Sequence, residues 1–267
     1  MHLTLSAPAK VNLYLEVLGR RPDGFHALET IFQTLDLADE VSVTVSAGSG
    51  VALQCTAPGV PADATNLAWR AAAAYLAERP LGHVDLTLIK RIPHGAGLGG
   101  GSSDAAAVLR ALAQLDAQPL PAARLHTIAA ELGSDVPFFL LGGTALAHGR
   151  GEVLTPLPPA PATSVTVLMP AAHLPTPAVF TALTDAERGP RPAQGRLLAE
   201  RLATGHIPLF NRLTGPARRL CPAAAALLDH LATTGLPHLL SGSGASCFVL
   251  GEIEPPPGVR AYRTRFA

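Results

Sequence analysis

Pro93-His94-Gly95-Ala96-Gly97-Leu98-Gly99-Gly100-Gly101-Ser102-Ser103-Asp104 carries five glycines in the seven residues from 95 to 101. The run VDLTLIK (84–90) before it alternates as a strand does, and Val108, Leu109, Leu112 and Leu115 after it fall on one helical face. Each glycine costs conformational entropy on folding, so this density points to positive φ angles or to a group that approaches the backbone closely. A flexible surface loop is one reading, but such linkers are rarely wedged between a well-patterned strand and a well-patterned helix. Gly95-x-Gly97-x-x-Gly100 satisfies the dinucleotide-binding fingerprint. Its context fails, because the preceding strand is half polar and no acidic residue ends a second parallel strand about 20 residues on. No Gly-Lys-Ser/Thr follows, so the Walker loop fails too. The third reading is a phosphate cradle. Successive glycine N–H groups, followed at Ser102-Ser103 by a helix N-terminus with its orphan donors and dipole, favour an anion. Asp104 suits the dipole but repels phosphate, and is expected to face solvent or a divalent cation.

Outward from the loop, Val11, Leu13, Leu15 and Val17 alternate with Lys10, Asn12, Tyr14 and Glu16, the pattern of a half-buried strand. RRPDGFH (20–26) is turn chemistry. EVSVTVS (40–46) and VALQCTA (51–57) read as a hairpin across Gly48-Ser49-Gly50. Asn66 to Glu78 is an Ala-rich helix, and a second covers Ala122 to Leu132 with Gly133 as its C′ residue. Pro137 stands near a further helix start. PLPPAP (156–161) is the clearest boundary, dividing the chain into residues 1–155 and 156–267. Beyond it come a strand (SVTVLMP, 164–170), helices over 193–204 and 222–233, and a strand-turn-strand in LPHLLSGSGASCFVLGE (236–252). The mix predicts two α+β domains with mostly antiparallel sheets.

The 267 residues suffice for one large or two small domains, and 48% hydrophobic against 15% charged is a globular balance. Twenty basic residues offset twenty acidic ones, which excludes the basic footprint of a general nucleic-acid binder. Cys55, Cys221 and Cys247 are odd in number and far apart, so neither a disulfide framework nor a zinc site is expected, and no protein metal ligand is assigned. No signal peptide or membrane-length apolar run stands out, which predicts a cytoplasmic protein with no membrane partner. Only Lys10 and Lys90 are lysines; the other 18 of the 20 basic residues are arginines. A chain that uses arginine for ordinary charge has a specific use for a compact ammonium.

P-x-GAGLGGGSSDA resembles the second motif of the GHMP small-molecule kinases. APAKVNLYL (7–15), PDGFH (22–26), LGSDVPFF (132–139), LPTPAVF (174–180) and LSGSGAS (240–246) are similar, in order, to the motifs of the 4-diphosphocytidyl-2-C-methyl-D-erythritol kinase family within that superfamily. The resemblance implies a two-domain GHMP kinase fold: an N-terminal domain of mixed or antiparallel sheet with helices, and a C-terminal α+β sandwich. It also implies ATP and Mg2+ as cofactors, and a small alcohol carrying a cytidine diphosphate as substrate. A monomer and a homodimer both remain open.

Taken alone, Lys10 reads as the solvated face of a strand, and Asp135 as a helix N-cap ahead of Pro137. By the resemblance, Asp135 is the general base and Lys10 orients it and lowers its pKa. The loop from Pro93 and His94 through Gly95, Ala96, Gly97, Leu98, Gly99, Gly100 and Gly101 to Ser102 and Ser103 would hold the ATP phosphates. Asn66, Leu67 and Lys90 would border the adenine. Asn12, Thr176, Gly242, Ser243 and Gly244 would face the substrate. Phe25 and Phe180 would stack on cytosine, with His26 reading its polar edge. The family often has Tyr where this chain has Phe25, so stacking should survive without the hydrogen bond that a tyrosine hydroxyl could make. Another GHMP kinase, acting on mevalonate or homoserine, has no reason to carry the cytidine set. A nicotinamide-dependent oxidoreductase would need a parallel doubly wound sheet, and a non-catalytic nucleotide module would not need both Lys10 and Asp135.

Overall fold

In strand β1 (His2–Arg20) every residue from Ala9 to Val17 is buried, on both faces. The expected half-buried strand is corrected here, because the polar face is covered by hydrogen-bond partners rather than by water. Lys10 donates to Asn12 (2.8 Å), Asn12 donates to Thr30 (2.8 Å), and Arg212 grips the Glu16 carboxylate at 2.7 and 2.8 Å. Buried polar groups demand such partners. Alternation in this strand separates two kinds of interior.

The computed structural model describes residues 1–55, 57–188 and 193–267. They divide into two units that interleave along the chain: Met1–Ala9, Ala38–His94 and Gly99–Leu141 form the first, and Lys10–Leu37, Gly95–Leu98 and Gly142–Ala267 the second. The long strands β1 and β2 (His26–Ser46) therefore contribute their two halves to different units. The Pro-rich stretch 156–161 lies inside the second unit.

The first unit adds β3 (Gly50–Cys55), α1 (Leu67–Glu78), β4 (His83–Ile89), α2 (Gly100–Leu115), α3 (Ala122–Leu132) and α4 (Val136–Leu141). Its sheet order is β3-β4-β2-β1. The hairpin expected between 40–46 and 51–57 does not form, because β4 inserts between the two strands. β4 pairs antiparallel with β2 (Val43 opposite Leu86) and parallel with β3 (Leu53 opposite Leu86). Val84, Leu86 and Leu88 are almost wholly buried, whereas Leu53 alone of β3 is, so the more apolar strand takes the interior place and β3 the edge. The β3-α1-β4 crossover makes the parallel pair possible. Thr56, within the expected strand, lies outside the described residues. Asn66 starts α1 by accepting the Ala68 N–H at 2.9 Å. Gly133 ends α3 in extended backbone (φ 176°), not in the left-handed form expected of a C′ glycine.

The second unit adds β5 (Thr144–His148), β6 (Val153–Pro156), β7 (Ser164–Pro170), α5 (Thr176–Thr181), α6 (Asp185–Arg188), α7 (Gly195–Ala203), β8 (Phe210–Asn211), α8 (Thr214–Leu220), α9 (Pro222–Ala232), β9 (His238–Leu240), β10 (Cys247–Leu250) and β11 (Val259–Arg265). β8 lies parallel beside β1, with Leu15 opposite Asn211. An antiparallel sheet of order β11-β7-β10-β9 packs Leu168, Cys247 and Val249 against Val179, Leu213, Leu228 and Leu231. Strand, turn and strand over 236–252 thus form as expected, and the turn Ser241–Ser246 emerges from this core.

Candidate active site

Gly95, Gly97 and Gly99 have φ of 70°, 69° and 73°, while among the described residues no non-glycine has a positive φ. Ala96 and Leu98 therefore alternate with them in sign. Alternation of this kind can turn successive N–H groups toward one concave side, as in anion-binding nests. Ala96 and Leu98 are buried and anchor the loop, Pro93 is half-buried, and His94 and Gly95 are exposed. Helix α2 follows at Gly100, and no side chain caps its first N–H groups. Ser103 Oγ and Asp104 Oδ1, on the fourth and fifth residues of the helix, are buried without a hydrogen-bond partner. Leu67 packs beside the helix start, 3.9 Å from where a Cβ on Gly101 would stand.

Asp104 corrects an expectation: it faces neither solvent nor an open cation position. Its carboxylate is 2% exposed and accepts from Lys90 at 2.6 Å. Burial pushes it up to about 7, against the pull of the Lys90 ammonium. Lys90 also contacts Asp39, and the two carboxylates hold its ammonium above the usual lysine range despite burial. Its charge is therefore engaged within the protein. Asn66 is similarly committed, donating to the Pro61 carbonyl at 2.7 Å while capping α1.

In the second unit, Lys10 is only 4% exposed, which rules out a solvated strand face. Its backbone N–H donates to the Leu98 carbonyl at 2.9 Å, and its ammonium to Asn12 at 2.8 Å and over the Phe32 ring. The turn 241–244 closes on the same loop. Ser241 Oγ donates to the Gly97 carbonyl at 3.2 Å, and a Cβ on Gly242 would stand 3.1 Å from that carbonyl and 3.6 Å from Lys10 Nζ. A Cβ on Gly97 would stand 2.3 Å from the Ser241 carbonyl oxygen, so only glycine fits. Lys10, Asn12, Gly97 and Gly242 are thus brought together.

Thr176 and Ser243 join through their hydroxyls at 2.7 Å. The His26 ring stacks on Phe180 with centroids 5.1 Å apart and planes inclined by 27°. Burial, with the Arg188 and Arg20 charges, depresses the His26 pKa, and its Nε2 is buried without a partner. Phe25 is exposed, with the Arg150 guanidinium 4.9 Å above its ring. The ring stacked on Phe180 is thus that of His26. Asp135 is half-buried in the first unit, directly before α4.

Sequence reasoning missed Asn211. Its buried carboxamide donates to the carbonyls of Leu240 (2.9 Å) and Gly242 (2.7 Å) and so fixes the turn beside Lys10. An asparagine in FNRL reads locally as a turn residue, and nothing short-range reveals its partners. Together the second unit offers a buried ammonium against a glycine loop and a stacking surface with one unpaired ring nitrogen, His26 Nε2. The first offers a helix N-terminus with uncapped donors and a carboxylate at the head of another helix.

Comparison with known proteins gives a consistent picture. Residues 66–143 match the family model of the GHMP kinases N terminal domain. The chain is 42% identical over 266 residues to the 4-diphosphocytidyl-2-C-methyl-D-erythritol kinase of Geobacter sulfurreducens, covering 97% of this chain and 93% of that one. It is 47% identical over 252 residues to the enzyme of the same name from Thermus thermophilus, covering 92% and 86%. A crystal structure of 4-(cytidine 5'-diphospho)-2C-methyl-D-erythritol kinase superposes with a TM-score of 0.83 at 40% identity, over 99% of both chains. A mevalonate kinase from L. major, at 17% identity and TM-score 0.72, shares the fold.

Proposed function

Since the chain belongs to the 4-diphosphocytidyl-2-C-methyl-D-erythritol kinase family and has the GHMP kinase fold, we propose that it transfers the γ-phosphoryl group of ATP to the 2-hydroxyl of 4-diphosphocytidyl-2-C-methyl-D-erythritol, with Asp135 as general base and Lys10 as its cationic partner. The observation that carries the assignment of roles is the burial of Lys10 against the glycine loop. An ammonium is costly to bury, and a strand needing only solubility would not bury it.

In the reaction, the Asp135 carboxylate takes the proton of the 2-hydroxyl. The oxygen forms a bond to the γ-phosphorus, the bond to the β-γ bridging oxygen breaks, and ADP leaves with that electron pair. Lys10 balances negative charge on the reacting oxygens. The nest at 95–99 and the N–H groups opening α2 receive the phosphates. Phosphoryl transfer from ATP uses Mg2+, which neutralises phosphate charge. The unpartnered Ser103 hydroxyl fits such an ion. Among the described residues no group of three His, Cys, Asp or Glu side chains could hold a metal, so the ion would arrive with the nucleotide.

Phe180 and His26 supply the surface for cytosine, with the unpartnered His26 Nε2 toward its polar edge. Phe25 completes the cytidine set through its exposed ring, and Thr176 and Ser243 face the same substrate. No helix of the described residues is long and apolar enough to cross a membrane, and the reading takes the reaction to be cytoplasmic, where ATP is supplied. A coupled ADP-release assay with the CDP-alcohol, mevalonate, homoserine and galactose tests it. Turnover with the CDP-alcohol alone is expected; turnover with another acceptor in its place would overturn the assignment.

A further inference from the structure

The glycine loop leaves β4 and enters α2, and both of its stems rest on one buried charge cluster that the reaction above does not use. Asp39, in β2, is 1% exposed. One of its oxygens accepts the N–H groups of Arg91 (2.5 Å) and Ile92 (2.8 Å), the residues that lead into Pro93. The other receives the Lys90 ammonium, which also donates at 2.6 Å to Oδ2 of Asp104, the fifth residue of α2. A Cβ on Gly100 would stand 3.4 Å from the Asp39 carboxylate, so the helix start packs directly on it. One carboxylate therefore holds the entry to the loop by backbone hydrogen bonds, and the exit through a lysine bridge. Loss of Lys90 leaves two carboxylates facing each other in a dry interior, and loss of either carboxylate charge removes one of the two partners of the ammonium; the neighbouring backbone must move to relieve either change.

We propose that Asp39, acting through Lys90 and Asp104, is a positioning residue that sets the conformation of the phosphate loop and so governs nucleotide affinity without touching the nucleotide. The inference rests on the reading of 93–103 as the ATP phosphate loop. It also recasts Lys90, whose ammonium is bound to two carboxylates, as part of the loop's support rather than a contact to adenine.

Asp39→Asn, Lys90→Met and their double variant test this. Asp39→Asn retains an acceptor for the Arg91 and Ile92 N–H groups and removes the charge facing Lys90. ATP dissociation constants by calorimetry are compared with the KM for each substrate, and with hydrogen exchange at the Arg91 and Ile92 amides in nucleotide-free protein. Each single variant should weaken ATP binding about 10- to 100-fold, as removal of a supporting residue behind a ligand site typically does. The double variant should be no worse than the poorer single, because the two act as one unit. The KM for the CDP-alcohol should stay within about 2-fold in all three, since the cluster supports only the phosphate loop.

Asp116→Asn provides the comparison for simple destabilisation. It disrupts another buried carboxylate of the first unit, bound by Tyr75 and Arg79 away from the loop, and should leave ATP affinity unchanged. An Asp39→Asn protein that binds ATP as wild type does, or in which both KM values rise together, overturns the proposal. So does a cycle in which only Lys90→Met weakens ATP, which would make Lys90 a direct ligand. If Asp39→Asn does not fold, Asp104→Asn carries the same comparison, with unchanged ATP affinity again the overturning result. Failure of the wild type to bind ATP would instead refute the phosphate-loop reading, a separate outcome.

Discussion

Lys10 is buried with its ammonium on Asn12 and its N–H on Leu98, in space bounded by Gly242 and Phe32. A guanidinium is longer and planar and cannot occupy the place of a compact ammonium there. Lys10→Arg should therefore lose most of its turnover although charge is preserved, and near-normal kcat would return Lys10 to a structural role. Asp135→Asn keeps the shape of the side chain but cannot accept a proton. As general base, Asp135 should lose roughly 10²–10⁴ in kcat on this change while both substrates still bind. As an N-cap it would tolerate asparagine with hardly any change in rate or stability. Phe180 stacks with His26, and a base stacked on an aromatic ring gains about 1–3 kcal/mol. Phe180→Ala should thus raise the KM for the CDP-alcohol about 5- to 150-fold and leave ATP nearly unaffected. Equal effects on both substrates would make Phe180 a packing residue.

At the scale of elements, the glycine loop and the 241–244 turn meet so closely that their backbones leave no room for a side chain. Gly97→Ala combines a strained left-handed backbone with a Cβ placed 2.3 Å from the Ser241 carbonyl oxygen. Neither backbone can yield without moving the Lys10 contact to Leu98, so ATP affinity and kcat should both fall, with far-UV circular dichroism retained. Wild-type kinetics in Gly97→Ala would mean that the turn is pliable and does not define the site. Strand-helix alternation around the loop was legible, because a strand period and a helical face are local patterns. The placement of β4 between β2 and β3 was not. Gly48-Ser49-Gly50 is a plausible hairpin connection, and only the competition for a buried place in the sheet, won by Val84, Leu86 and Leu88, decided otherwise.

For the molecule as a whole, stability in acid should depend on Asp116, which accepts from Arg79, Tyr75 and the Gln118 N–H. The Arg79 hydrogen bonds above all hold its carboxyl down at about 2, against the effect of burial. An aspartate in an unfolded chain titrates near 4. The folded value is the lower one, so the stabilisation is complete above about pH 4 and is lost as pH falls toward 2. Melting curves between pH 5 and 2 should show that loss in the wild type, and a correspondingly shallower dependence in Asp116→Asn, which already melts several degrees lower at pH 7. Identical slopes would mean that other carboxylates dominate. The α+β class, the family and most elements were determined by sequence alone, since periodicity, glycine spacing and short motifs are properties of contiguous residues. The tertiary structure alone decided that Lys10 is buried, that Asp104 is paired with Lys90, that His26 is the ring on Phe180, and that Asp39 and Asn211 hydrogen-bond the backbone at 91–92 and at 240 and 242. Each of these depends on which distant groups desolvate or satisfy a side chain, and burial and hydrogen-bond partnership exist only once the chain has closed on itself.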